Sequence, residues 1–254
     1  MLRDLSSFIY WKLFAIYSKY AEQRLYYIIP NLKKIIKEYS DQTKSTGTKY
    51  PTLYKAVKNI KKYKPKILLE SGTGTSTIVL AEILLKLKKE DPTYNPKLIS
   101  MESLPRWYEL AKKILPKKYE DTVEIILGER EKFEYSMFRG YCHSNIPNYD
   151  YDFVFLDGPS YQDKYGDSCC LDALKVRLTS KSKKIVGVID TRVSSVFVMQ
   201  NIFGLKNLRY LNFKRTSEFQ LGNISKNPTI NSMSFQYSLL GDVKLKEDAM
   251  IDKG

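Results

Sequence analysis

Cysteine and histidine are the scarcest reactive residues in this 254-residue chain, with three of the first and one of the second. Cys142, Cys169 and Cys170 include an adjacent pair and no C-x-x-C spacing. That excludes a disulfide framework and a zinc cluster and fits a reducing, cytoplasmic setting. A P-loop, a G-x-S-x-G elbow and any internal repeat are also missing, which removes the commonest nucleotide-hydrolysing, serine-hydrolase and solenoid readings. Long apolar runs are absent too. The aromatic stretch at residues 5–29 is interrupted by Lys12, Lys19, Glu22 and Arg24, so it does not span a bilayer, and it has no A-x-A-like cleavage site.

Acidic residues are outnumbered, 28 against 42 Lys plus Arg, for a net charge of +14. The excess is uneven, because residues 1–66 carry 15 basic side chains against Asp4, Glu22, Glu38 and Asp41. A basic face of this kind suits anionic lipid, nucleic acid or a polyanionic glycan, or simply a lysine-rich surface. Hydrophobic content of 43% and charged content of 28% are those of a globular protein, and the length suits one α/β domain plus an accessory segment.

What is present is organised around Lys64–Ile83, KPKILLESGTGTSTIVLAEI. Ile67, Leu68 and Leu69 read as a buried strand that stops at Glu70, Ser71, Gly72, Thr73 and Gly74. Apolar residues then return at helical spacing from Ile78. Gly72 and Gly74 permit a sharp turn and close approach of a ligand, and Ser76 and Thr77 are placed to cap the helix, whose free N–H groups face the turn. A dinucleotide fingerprint requires a third glycine where Thr77 stands. The carboxylate of Glu70 would repel a pyrophosphate and suit a ligand carrying an ammonium and a sulfonium.

Further strand ends come in order. Lys97–Met101 reads as a second strand ending at Glu102, with Ser103 next; a carboxylate there can accept both hydrogen bonds of a ribose diol. Thr122–Leu127 reads as a third, ending at Gly128-Glu129. Residues 130–149 read as a polar, aromatic loop holding His143, either exposed or a candidate base. Tyr151–Leu156 reads as a central strand ending at Asp157-Gly158-Pro159, and Lys184–Ile189 as a fifth ending at Asp190. Helices are expected over 5–29, 31–39, 53–63, 172–178 and 193–203. Two β segments are expected at Leu208–Phe213 and Met233–Leu240, with a loose charged tail from Asp242. Trp107 reads as a core aromatic.

The acid with G-x-G at Glu70–Gly74, the segment E-S-L-P-R-W-Y from Glu102 and the string YDFVFLDGP ending at Pro159 together resemble the class I S-adenosylmethionine-dependent methyltransferases. The resemblance is to members that O-methylate catechols, sugars and other small molecules. It covers about residues 52–240. It implies a three-layer Rossmann-like domain over 51–241, with a mostly parallel seven-stranded sheet and an antiparallel closing strand, preceded by the basic helical segment 1–50. It implies S-adenosylmethionine held by Glu70, Ser71, Gly72, Thr73, Gly74, Ser76, Glu102 and Ser103, with Glu129 near the adenine and Asp157 at the rim. The helix before the first strand often closes over the cofactor site in such enzymes, and Thr48, Tyr50 and Tyr54 are the nearby candidates. Asp157 is the first candidate base, with His143 and Asp190 behind it. Asp157 with Asp190 is a candidate site for a divalent ion such as Mg, although Thr191 replaces the Asn of the metal-dependent members. The acceptor implied is a hydroxyl of a small molecule, sugar or glycan precursor. Alternatives are a nucleic-acid methyltransferase using the basic segment, an NAD(P)-dependent oxidoreductase, and a catalytically inactive protein of the same fold. Peripheral membrane contact through residues 5–29 and homo-oligomerisation are further expectations.

Overall fold

The computed structural model describes residues 2–43, 49–158, 162–163, 166–167, 169–190, 192–211, 214–222 and 224. Thr48, Pro159, Thr191, the segment Met233–Leu240 and the tail from Asp242 lie outside the described residues. The chain begins with α1 (Leu2–Ile28), α2 (Leu32–Thr43) and α3 (Tyr50–Tyr63). Next are β1 (Ile67–Ser71), α4 (Thr75–Glu90), β2 (Lys97–Glu102), α5 (Pro105–Ile114) and β3 (Val123–Leu127). After a hairpin of β4 (Arg130–Tyr135) and β5 (Phe138–His143) come β6 (Phe153–Leu156) and the two-residue strands β7 (Gln162–Asp163) and β8 (Gly166–Asp167). The remainder is α6 (Asp172–Thr179), β9 (Ile185–Ile189), α7 (Val193–Phe203), β10 (Leu208–Leu211) and β11 (Thr216–Leu221).

Seven strands form one sheet in the order β10-β11-β9-β6-β1-β2-β3. Only β11 runs against its neighbours β9 and β10. The expected α/β architecture is therefore the observed one, a mostly parallel sheet with an antiparallel closing strand. The closing strand is Thr216–Leu221, a stretch the sequence pattern does not mark as β, and it inserts between β9 and β10.

Strands buried on both faces read as continuous apolar runs, and their alternate side chains serve two different cores. Leu68, Leu98, Phe153 and Val188 face a core shared with α3, α4 and α5. Leu69, Ile99, Val154 and Ile189 face a second one with α6, α7 and the hairpin. The basic N-terminal segment is sewn into the first core, since Ala21, Leu25, Ile29, Leu32, Ile36 and Tyr39 belong to it. Asp152 pins the start of β6 beside β1 by accepting the backbone N–H groups of Lys66 and Ile67 at 2.8 and 3.0 Å.

The chain builds β1, β2 and β3 outward in one direction, then returns to the other side of β1 to place β6 and β9. The switch point between β1 and β6 opens at their carboxyl ends, where α/β sheets take ligands. The backbone ladder continues past the strands there. Gly72 N–H bonds Met101 O at 2.9 Å, Asp157 N–H bonds Ser71 O at 2.9 Å and Gly128 N–H bonds Glu102 O at 2.9 Å. The loops after four strands are thus held side by side.

Gly187, in the middle of β9, has no room for a methyl group. A Cβ there would lie 2.2 Å from Val154 O and 2.3 Å from Phe219 Cζ. Gly187→Ala is expected to cost about 2–3 kcal/mol through overpacking between two strands. A lowered urea midpoint at unchanged slope checks this, and an unshifted midpoint contradicts it.

Candidate functional site

Four acids stand at the carboxyl ends of adjacent strands β9, β6, β1 and β2, in the order Asp190, Asp157, Glu70 and Glu102 across the sheet. Glu70 is fully buried. Its Oε2 accepts hydrogen bonds from Thr77 Oγ1 at 2.6 Å and Ser100 Oγ at 2.7 Å, while Oε1 has no partner. Burial raises its pKa to about 7, against the hydrogen bonds of Ser100, Ser76 and Thr77. Thr77 also accepts Gly74 N–H at 2.9 Å, which fixes the start of α4. The cap is therefore made from the third residue of the helix back to the glycine, with Gly74 in the position expected of a hydroxyl side chain.

Gly72 turns the chain with φ +95°, which favours glycine, and packs on Gly158 of the loop after β6. A Cβ on Gly72 would sit 3.0 Å from Gly158 N, and one on Gly158 would sit 2.7 Å from Gly72 Cα. A Cβ on Gly74 would lie in open space. The turn is thus closed on the sheet side and open on the other. One strand over, Glu102 Oε1 accepts the N–H groups of Ser103 and Leu104 at 2.8 and 2.9 Å, so its carboxylate is fixed by the turn after β2. Burial raises its pKa as well.

Two residues that the sequence does not mark complete this end of the sheet, and both come from the N-terminal segment. Tyr39 of α2 is buried, and Glu70 and Glu102 both add to the rise that burial gives its pKa, so it lies within electrostatic reach of both acids. Lys49, just before α3, contacts Asp157 Oδ1 at 3.0 Å and forms a short ion pair with Asp190 Oδ2. Burial opposes its charge, but Asp157 and Asp190 together hold its pKa above the usual lysine value. Arg192 adds a second cation at 3.3 Å from Asp190 Oδ1 and donates to Asp157 O. Asp157 keeps 32% side-chain exposure and Asp190 only 3%. The Asp157 pKa rises to about 6, first through burial and then through Asp190, against Lys49 and Arg192.

These contacts correct several expectations. Asp157 and Asp190 do share one crevice, but the Lys49 ammonium spans them where a divalent ion was expected, so the residues present do not fit that metal. Among the described residues no group of three His, Cys, Asp or Glu side chains is placed to hold a metal ion. Residues 130–143 form a hairpin where a loop was expected. His143 is fully buried at its end, where the sequence left exposure open. Its backbone N–H and Nδ1 meet the two oxygens of Asp172 at 2.8 and 2.6 Å, and Ser71 Oγ donates to the same carboxylate at 2.5 Å. This buried trio ties the loop after β1 to α6 and to the hairpin. Tyr50 bonds the Tyr26 hydroxyl at 3.0 Å and Tyr54 packs edge-on against Tyr20, so both face α1 and not the site. Glu129 is exposed, and Trp107 is partly exposed and outside the core.

No protein-family model and no curated protein matches this chain. Among solved structures, a Staphylococcus aureus protein provisionally assigned as a caffeoyl-CoA O-methyltransferase is similar with a TM-score of 0.53 and 13% identity, over 82% of this chain and 100% of that one. A SAM-dependent methyltransferase from Aquifex aeolicus is next at a TM-score of 0.42 and 15% identity, over 71% of this chain and 96% of its own. The first likeness fixes the fold; the second, at its score, adds nothing to it.

Two consequences of the electrostatics are measurable. Because the folded pKa of Glu70 lies above its unfolded value, the folded state binds the extra proton. Its contribution to stability is present below about pH 4.5 and is lost as pH rises through about 7. Glu70→Gln is expected to be more stable than wild type by roughly 3 kcal/mol at pH 8 and equal to it near pH 4. Urea unfolding at both pH values decides, and parallel profiles would contradict the assignment. Lys49→Met removes a cation from Asp157, whose titration in carboxyl-carbon NMR should move upward from about 6. An unmoved titration means that the Lys49 contact is not made.

Proposed function

We propose, for a chain that has the class I methyltransferase fold, that it transfers the methyl group of S-adenosylmethionine to a hydroxyl of a small molecule, sugar or glycan precursor. One arrangement carries this reading. A fully buried carboxylate, Glu70, keeps an unpaired oxygen beside a glycine turn that is open on one side, one strand from a second anchored carboxylate at Glu102. An unpaired buried carboxylate is costly on its own and is completed by a cation.

The residues at the switch point fit an adenosyl ligand carrying an ammonium and a sulfonium. Gly72, Thr73 and Gly74 would hold its backbone side, Glu70 its positive charge and Glu102 its ribose hydroxyls, with Tyr39 covering both acids from α2. Such a ligand supplies an electrophilic methyl group. Ser71 is fixed by Asp172, and through it by His143, so His143 acts here as a positioning residue for the loop after β1.

On the acceptor side, Asp157 is the best-placed base. With a pKa near 6 it is largely ionised at neutral pH and able to take a proton from a hydroxyl, and its exposure leaves it reachable. Lys49 and Arg192 neutralise the Asp157–Asp190 pair, and Lys49, half exposed, places a positive charge where an alkoxide would develop. The chain's own ammonium thus takes the place that a divalent ion has in metal-dependent members. The reaction gains chiefly from holding donor and acceptor in line.

Donor binding tests this without knowledge of the acceptor. Calorimetry with S-adenosylmethionine or S-adenosylhomocysteine should show binding that tightens from pH 6 to pH 8 with proton release, as Glu70 ionises to meet the ammonium. Gly72→Val should abolish it, Glu102→Ala should weaken it about tenfold or more, and Glu70→Gln should flatten the pH dependence. Tight NADH binding with no response to either adenosyl compound would transfer the assignment to an oxidoreductase. No binding of any of the three would leave a fold without the chemistry.

A further inference from the structure

Helix α1 is apolar on two sides. Tyr10, Ala21 and Leu25 are buried against the protein. On an adjoining side Ile9, Leu13, Ile16, Tyr20 and Tyr27 are exposed, by 45, 45, 67, 47 and 77%. Their spacing of four, three, four and seven residues places all five on one stripe of the helix. A soluble surface does not need such a stripe, and a run of exposed large apolar residues marks a contact.

The flanks of the stripe are basic. Lys12 stands over the Phe8 ring at 4.3 Å and Arg24 over the Tyr27 ring at 5.2 Å, as cations do beside aromatic residues at an interface. Between Phe8 and Ile28 the only acid is Glu22, which accepts a hydrogen bond from Tyr26. At Tyr20 the stripe meets Tyr54 of α3, and Lys58 lies 5.7 Å from the Tyr54 ring. From there a groove of about 510 Å³ runs between α3 and strands β10 and β11, lined by Lys58, Lys62, Lys206 and Arg209. Lys55 at its rim is paired with Glu218. Lys214 joins groove to helix, 5.2 Å from the Tyr17 ring. Its pKa is lowered, first by burial and then by repulsion from Lys55, Lys58 and Arg209, so the cations there exceed their counter-ions.

We propose that the outer stripe of α1 and the adjoining cation groove dock this protein on the surface of an anionic lipid bilayer. The apolar stripe enters the headgroup boundary and the lysines meet lipid phosphates and carboxylates. Charge complementarity selects this occupant. A second copy would bring an equally basic face against the first, at +14 each. A nucleic acid would use the groove but would leave exposed isoleucine and leucine without a partner. No helix among the described residues is long and apolar enough to cross a membrane, so the contact lies on the surface.

The proposal stands apart from the methyltransfer reading, since neither surface includes a strand-tip acid. Its test is co-sedimentation of the full-length protein with phosphatidylcholine vesicles made with and without phosphatidylserine. Binding is expected to be at least about tenfold stronger to the anionic vesicles and to fall steeply with added salt. Ile16→Glu, at an exposed position, should reduce binding about tenfold or more with an unchanged thermal midpoint, and Lys58→Glu should reduce it further in combination. Three results overturn the proposal. One is no anionic-vesicle binding at low salt. Another is binding that Ile16→Glu leaves intact, which would mark a purely electrostatic polyanion site. The third is a solution dimer dissociated by Leu13→Glu, which would make a second copy the occupant.

Discussion

The contact between Gly72 and Gly158 sets the distance on which the rest of the site depends. The loops that leave β1 and β6 touch backbone to backbone, with no room for a side chain on either. Adjacent parallel strands are held by their ladder only while they remain strands, and beyond the last hydrogen bond the chains are free to splay. Here they do not splay. Asp157 N–H reaches Ser71 O, Gly72 N–H reaches Met101 O, and Cys170 Sγ holds Gly158 O at 2.7 Å from below. The acids at the strand ends are therefore held side by side at one end of the sheet. A single methyl group at either glycine would push the strand tips of Glu70 and Glu102 away from those of Asp157 and Asp190.

The charge on these four acids is balanced unevenly, and the imbalance has chemical meaning. Asp157 and Asp190 are answered by Lys49 and Arg192. Among the described residues Glu70 is met only by hydroxyl side chains, Thr77 and Ser100 with Ser76 beside them, and by no cation. Hydroxyls lower a buried acid's pKa less than a cation does, and burial accordingly dominates at Glu70. On the proposed function, the described cations are absent from the acid that would meet a positively charged donor, and two stand beside the acid that would take a proton. The buried Ser71–Asp172–His143 cluster holds the loop between the two halves.

Much of this is legible in the sequence, for an elementary reason. Strands buried on both faces announce themselves as apolar runs, and the residues just past such a run sit at a strand tip. Glu70, Glu102, Asp157 and Asp190 stand out that way. Other features of the site lack such a local signal. The hairpin of residues 130–143 turns at Ser136 with φ +55°, where a glycine or asparagine would have been the usual marker. Its strands are charged on their exposed side and read as loop. His143 looks like a surface residue until Asp172, 29 positions later, is brought against it. Lys49 is one of 15 basic residues in the first quarter of the chain, and its partners lie 108 and 141 residues away. Strand β11 carries Thr, Ser, Glu and Gln among its six residues, so its pairing with β9 is set by tertiary context and not by composition.

Lys49 and Tyr39 lie ahead of the sheet in the chain, while every acid they answer lies within it. Each end of the proposed reaction thus combines acids of the sheet with one group from the leading stretch. Drift at Lys49 can retune the oxygen-bearing partner, because one of its two cationic contacts resides there, and leave the acids of the adenosyl side untouched. Diversification among chains built this way is then expected to concentrate before the first strand, with the strand tips changing last.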